Sequence, residues 1–156
     1  IDWEKVVPKN KLSYIIGNPP FVGKKEQSPE QKLQLTEVFN GKRVGNIDFV
    51  SAWYYKAIEF IEYTDIHVSF VSTNSITQGE QVPILWNILL KKGIEIIFAY
   101  PSFEWTSESN SRDIAKVFCV IIGFKHFSST YNFEKLIINN SNIIIKNFFS
   151  ILYMIK

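Results

Sequence analysis

The chain has 156 residues, 46% of them hydrophobic and 15% aromatic, enough for one packed domain and too apolar for a disordered chain. A net charge of +2 argues against a nucleic-acid binder recognised by bulk charge, so any such partner has to be met by a local patch. The single cysteine, Cys119, excludes an internal disulfide framework and a multi-cysteine zinc site, and no metal centre is expected.

In chain order, residues 12–18 read as a short, fully buried strand, because Tyr14, Ile15 and Ile16 are consecutive instead of alternating. Residues 22–46 are polar and lysine-bearing. Within them Ser28-Pro29-Glu30-Gln31 predicts a capped helix from Pro29 to Phe39 that stops before Gly41. Asn46 or Asp48 is expected to cap a second helix to about Tyr63, with an apolar stripe of Phe49, Ala52, Trp53, Ala57, Phe60 and Ile61. Trp53 therefore reads as core and not as a stacking platform.

Ile66 to Ser72 predicts a second strand, followed by a polar turn holding Asn74 and Gln78. Pro83 opens the next helix, which ends at Gly93. Ile94 to Tyr100 predicts a third strand, then a polar loop from Pro101 to Asp113, then a fourth strand from Ala115 to Phe124. Cys119 lies in that last apolar run as a buried, inert thiol. His67 and His126 sit at strand ends without a second ligand at metal-binding spacing.

Strands alternating with helices indicate an α/β fold, with a mostly parallel sheet, one antiparallel strand and helices on both faces. The fourth strand follows the third without a helix, so it is expected to pair antiparallel and close the sheet edge. Ligands of such sheets gather at the carboxyl ends of the strands, which places Asn18, the turn after Ser72 and the loop after Tyr100 on one rim. Residues 1–126 form this unit. Residues 127–156 read as irregular structure or a hairpin turning near Asn139–Asn142, ending in an apolar tail. No stretch is long and apolar enough to read as membrane-spanning, and the cytoplasm is the expected compartment.

The strongest motif is Asn18-Pro19-Pro20-Phe21, directly after the first strand. Pro20 has no N–H and restricts Pro19 to an extended backbone, so the turn is stiff in advance. Asn18 offers a side-chain oxygen, Pro19 a backbone oxygen and Phe21 a flat ring. Two acceptors beside a ring suit a planar –NH₂ group carried on a base or an amide.

This strand and turn resemble the catalytic motif of N6-adenine DNA methyltransferases. The stretches Tyr14 to Lys25 and Phe70 to Gln81 are similar to the MmeI-like subfamily of bifunctional restriction–modification enzymes. Phe103-Glu104-Trp105 with Val117 to Phe124 is similar to the segment where that family places another aromatic near the target base. The resemblance covers roughly residues 12–126.

It implies a partial Rossmann-like sheet of the class I S-adenosylmethionine-dependent type, double-stranded DNA as partner, and an adenine flipped from the stack. Asn18 and Pro19 would accept from N6, Pro20 would stiffen the turn, and Phe21 would stack on the base. Asn18 would also border the cofactor. Phe103, Lys24 and Lys25 are the further substrate-binding candidates, the lysines through phosphates. Lys32, Lys42 and Arg43 read as a solvated face balanced by Glu26, Glu30 and Glu37.

The family's glycine-rich cofactor motif and its ribose-binding acid precede the Asn-Pro-Pro-Phe strand, whereas here only Ile1 to Lys11 do, without glycine. The chain is therefore expected to hold the C-terminal half of a catalytic domain. The missing N-terminal half is a candidate partner, and the fragment is expected to be inactive alone. The alternatives are a protein glutamine N5-methyltransferase fragment, since an amide is also a planar –NH₂, and a non-catalytic truncated or split-gene product.

Overall fold

The computed structural model describes residues 2–42, 44–105 and 117–127, together with the backbone of 136–139 and 142–145. Helix α1 (Trp3–Val6) and a 3-10 turn (Lys9–Lys11) lead into β1 (Tyr14–Gly17). Then come α2 (Pro29–Val38), α3 (Ser51–Phe60), β2 (His67–Thr73), a 3-10 turn (Asn74–Thr77), α4 (Gln81–Lys91), β3 (Ile94–Trp105) and β4 (Val117–His126). Strands β5 (Leu136–Asn139) and β6 (Asn142–Ile145) pair with each other, Asn139 opposite Asn142. Among the described residues no helix is long and apolar enough to cross a membrane.

The six described strands join one sheet in the order β1-β2-β4-β3-β5-β6. β1 runs parallel to β2, and β4 runs antiparallel to both β2 and β3. β5 is parallel to β3 and β6 antiparallel to β5. Thus β1, β2, β3 and β5 point one way, while β4 and β6 reverse, so two described strands are antiparallel where the sequence predicts one. β4 does not close an edge. Helix α4 carries the chain from β2 past a one-strand gap to β3, and β4 folds back into that gap. Cys119, Val120, Ile122 and Phe124 are buried there, as a strand with neighbours on both sides and apolar faces should be.

The helices form one layer rather than two. Tyr54 of α3 meets Phe70 of β2, Phe124 of β4 and Trp86 of α4 at ring-centroid distances of 5.3, 5.3 and 5.9 Å. Phe39, at the end of α2, packs on Tyr55 at 4.5 Å, and Trp3 of α1 packs on Phe60 at 5.6 Å. The described helices therefore cover the sheet face that carries Val68, Phe70 and Ser72. The expectation of helices on both faces is not met among the described residues.

Within α3 the deep positions are Ser51, Ala52, Tyr54, Tyr55, Ala57 and Ile58, whereas Trp53 and Phe60 of the expected stripe are only partly buried. The helix is also shorter than expected. It begins at Ser51 with no side-chain cap, because Asp48 and Asn46 are committed elsewhere. Asn46 Nδ2 donates to Glu80 at 3.0 Å. α2, in contrast, starts on the expected capping box, with both reciprocal bonds between Ser28 and Gln31 present.

Two further expectations change. β1 is not fully buried: Tyr14 is 68% and Ile16 82% exposed, because β2 is its one partner in the described sheet. The segment 101–105 belongs to β3 and is not loop. That strand carries register irregularities at Ile96/Phe98 and Tyr100/Phe103, which let it bend while still pairing with β4.

Candidate active site

The shared direction of β1, β2 and β3 places their carboxyl ends on one rim. Asn18 leaves β1 exposed, Pro19 is buried beneath it, Pro20 is exposed and Phe21 half-buried. Gly17, just before the turn, faces Phe70, whose ring lies only 3.2 Å from where a Cβ would stand. This close approach seats the end of β1 on the core. The turn thus leaves a backbone fixed by the core on one side and by two prolines on the other.

Phe21 meets Trp105 edge-on at 6.4 Å. Trp105 lies 6.4 Å from Phe103, and Phe103 lies 5.6 Å from Tyr100. Phe21, Trp105, Phe103 and Tyr100 therefore form a row of rings from the turn along β3. Trp105, 40% exposed, is the ring beside Phe21, and Phe103 stands behind it. Because β3 continues through 101–105, these side chains are held by a strand rather than carried on a loop.

Lys24 is half-buried and Lys25 exposed, next to the turn, while Lys32 and Lys42 are exposed farther along. Arg43 lies outside the described residues, as does the remainder of the loop expected to Asp113. Asn74 Nδ2 donates to Ser102 Oγ at 3.2 Å, tying the end of β2 to β3. The Gln78 N–H donates to the Ser75 carbonyl at 3.0 Å, closing the turn. Cys119 is buried in β4, which pushes its thiol pKa up. His67 lies beside Tyr14 and His126 beside Tyr63, in ring contacts of 5.9 and 5.3 Å. Tyr54, fully buried, shares a hydrogen bond of 2.9 Å with Ser72 Oγ, and burial pushes its phenol well above the ordinary tyrosine range.

Asp48 is the residue that sequence reasoning misplaces. Instead of capping α3, its carboxylate takes the Lys24 N–H at 3.2 Å on Oδ1. On Oδ2 it takes Gln81 Nε2 at 3.1 Å and the Ser75 hydroxyl, with Thr73 Oγ1 3.4 Å away. The flanking backbone adds to this, since the Phe49 N–H donates to the Val22 carbonyl at 2.9 Å and Gln27 Nε2 to the Ile47 carbonyl at 3.0 Å. Segment 22–27 is thereby fastened along segment 47–49. An aspartate shortly before a helix satisfies the capping rule equally well in sequence, so its long-range role leaves no local signal.

Comparison with known proteins places this geometry. The family profile described as "MmeI, DNA-methyltransferase domain" matches residues 1–138. DNA methyltransferase A of Bacillus subtilis (strain 168) is 39% identical over 150 residues, covering 94% of this chain and 17% of its own length. The solved structure of the Type IIL restriction-modification enzyme MmeI in complex with DNA aligns with a TM-score of 0.79 at 46% identity, over 94% of this chain and 20% of that one. The type IIG restriction endonuclease BpuSI shares the fold, with a TM-score of 0.53 at 13% identity, over 80% of this chain and 14% of that one. The chain thus spans a fifth or less of the length of these relatives. It belongs to the MmeI DNA-methyltransferase domain family.

Proposed function

We propose that this chain carries the target-base side of an adenine-N6 DNA methyltransferase active site from a restriction–modification enzyme, of the class I type. The observation that carries the reading is the Asn18–Phe21 turn at the carboxyl end of β1, with the Trp105 ring 6.4 Å from Phe21. In this reading a flipped adenine enters beside Phe21, and Asn18 Oδ1 and the Pro19 carbonyl accept its two N6 hydrogens. Those bonds localise the nitrogen lone pair and strengthen as positive charge develops on N6, so they favour the transition state over the ground state. Phe21 and Trp105, with Phe103 behind them, bound the base, and Lys24 and Lys25 reach the adjoining phosphates. The attacking amine loses its proton after transfer, so no strong base is required of the chain.

The donor proposed is S-adenosylmethionine, which supplies an electrophilic methyl group. The residues present fit it only at that end, through Asn18. Residues 2–11 form α1 and a 3-10 turn and contain no glycine, so they offer no loop that backbone could bring close to the rest of such a molecule. The pocket would be completed by the part of the longer relatives that precedes the matched segment. That half-domain is the proposed partner along β1, the setting is cytoplasmic, and the isolated chain would be inactive.

The test grafts this chain into Bacillus subtilis DNA methyltransferase A in place of the matching segment and follows labelled methyl transfer into adenine of DNA. The graft is expected to methylate adenine and the isolated chain to be silent. Asn18→Ala in the graft should lower the rate about 100- to 1000-fold while DNA binding persists. Label entering protein glutamine or cytosine, or a near-normal rate with Asn18→Ala, would overturn the reading.

A further inference from the structure

We infer that Asp48 is a positioning residue for the base-binding turn: its buried carboxylate clamps the loop that follows Phe21 to the carboxyl end of β2 and the start of α4. The inference rests on the function proposed above for Phe21 and Lys24, and adds to it a residue outside the Asn-Pro-Pro-Phe motif. Asp48 is 8% exposed, too enclosed to meet DNA, so it cannot act by touching substrate. An ionised carboxylate has about four acceptor sites, and here the Lys24 N–H takes one on Oδ1 while the Gln81 amide and the Ser75 hydroxyl take those on Oδ2, with Thr73 Oγ1 at the edge of reach.

Each partner comes from a different part of the rim. Lys24 lies three residues beyond Phe21, Thr73 ends β2, Ser75 lies in the 3-10 turn, and Gln81 opens α4. Gln81 also returns a bond, its Oε1 accepting the Asp48 N–H at 3.1 Å. This makes the pair reciprocal and fixes which way the Gln81 amide faces. The Thr73 hydroxyl, 2.7 Å from Ser75 Oγ and 3.4 Å from Asp48, gives its one proton to Ser75, whose own proton goes to Asp48, so Thr73 joins the clamp through Ser75. Phe21 is consequently held between two stiff segments. Before it stand Pro19 and Pro20, and after it stands a loop whose amide and carbonyl are both taken, at Lys24 and Val22, by Asp48 and Phe49.

A burial cost for the charge accompanies this arrangement, and the donors that offset it among the described residues are neutral. Neutralising Asp48 as an amide would turn an –NH₂ toward donors on one side of the group. The loop after Phe21 would lose its anchor while the core beneath α3 and α4 stayed packed.

The test uses three variants, Asp48→Asn, Gln81→Glu and the double variant, in the isolated chain and in the graft. In the double variant the amide introduced at position 48 donates to the carboxylate introduced at position 81, so the bond is restored with its polarity reversed. In the chain, amide hydrogen exchange at Lys24 should accelerate by at least about tenfold in each single variant, with protection in α3 and α4 retained, and should slow again in the double variant. In the graft, kcat should fall about 100-fold in Asp48→Asn, with the KM for DNA moved by less than about threefold, as misplacement of a reacting group produces. A 2-aminopurine placed at the target base should show weaker stacking in that variant.

If Asp48→Asn does not fold, Ser75→Ala removes a single donor and should still speed Lys24 exchange about threefold to tenfold. Unchanged Lys24 exchange, or loss without recovery in the double variant, overturns the inference. Wild-type graft that does not methylate adenine, combined with the expected exchange pattern, overturns the proposed function and leaves the clamp established.

Discussion

Strands β1 and β2 lie side by side, parallel and in register from Tyr14↔His67 to Gly17↔Phe70, yet they are built differently. On β2, Val68 and Phe70 are 1% and 2% exposed, enclosed by α3, β4 and α4. On β1, Tyr14 and Ile16 point to the other face and stand largely in solvent, while Ile15 packs on the core and Gly17 lies against Phe70. β1 is the more apolar of the two in sequence and β2 alternates with Ser and Thr, so apolar content does not account for which strand is buried. What separates them is the number of neighbours. The candidate active-site turn therefore follows a strand with one neighbour in the described sheet, and it is held by prolines, by Gly17 against Phe70 and by the Asp48 clamp.

The largest effect that would break this contrast is expected on the supported side. Phe124 is fully buried in β4, stacked on Tyr54 and edge-on to Phe70. Phe124→Ala should cost about 3–5 kcal/mol, read as a lower denaturation midpoint with an unchanged slope. A loss under about 1 kcal/mol would mean that the α3–β2–β4 layer is not the chain's core. A smaller loss is expected at Gly123, which pairs with Ser69 of β2 and lies under the Phe98 ring. A Cβ there would stand 2.0 Å from Phe98, so Gly123→Ala should cost about 1–3 kcal/mol through displacement of the ring. Truncating the ring in the same chain, as Phe98→Ala with Gly123→Ala, should recover part of that loss.

How much of this is legible in the sequence follows the range of the interactions. The start of α2 is readable because Ser28, Pro29 and Gln31 act on each other within one turn. The positions of β2, α4 and β3 follow from the apolar runs and from Gly93, although α4 opens at Gln81, two residues ahead of Pro83, and the Asn18–Phe21 turn stands out through its own composition. The place of β4 between β2 and β3 does not, because a direct connection requires an antiparallel neighbour without saying on which side it inserts. Asp48 reads as a cap for the same reason. Its partners lie 24 to 33 positions away at Lys24, Thr73, Ser75 and Gln81, and no local rule reports them. At the site, the motif tells which groups are offered, and only the fold tells that Trp105 is the ring against Phe21.

The smallest effect is the most discriminating. Ile16 is 82% exposed on β1, so Ile16→Lys should change the stability of the isolated chain by no more than about 0.5 kcal/mol. Apolar residues on an unpaired edge strand also favour association, and a lysine there opposes it, so sedimentation at high concentration should show less self-association in the variant. In the grafted enzyme the expectation reverses. If the preceding half-domain covers β1, the lysine has to be buried, and the same substitution should cost well over about 1 kcal/mol. The two contexts thus read the same residue against two environments. A large loss in the chain alone would show that β1 is already covered there, whereas a negligible loss in both would show that its outer face stays in water and would remove the half-domain as its partner.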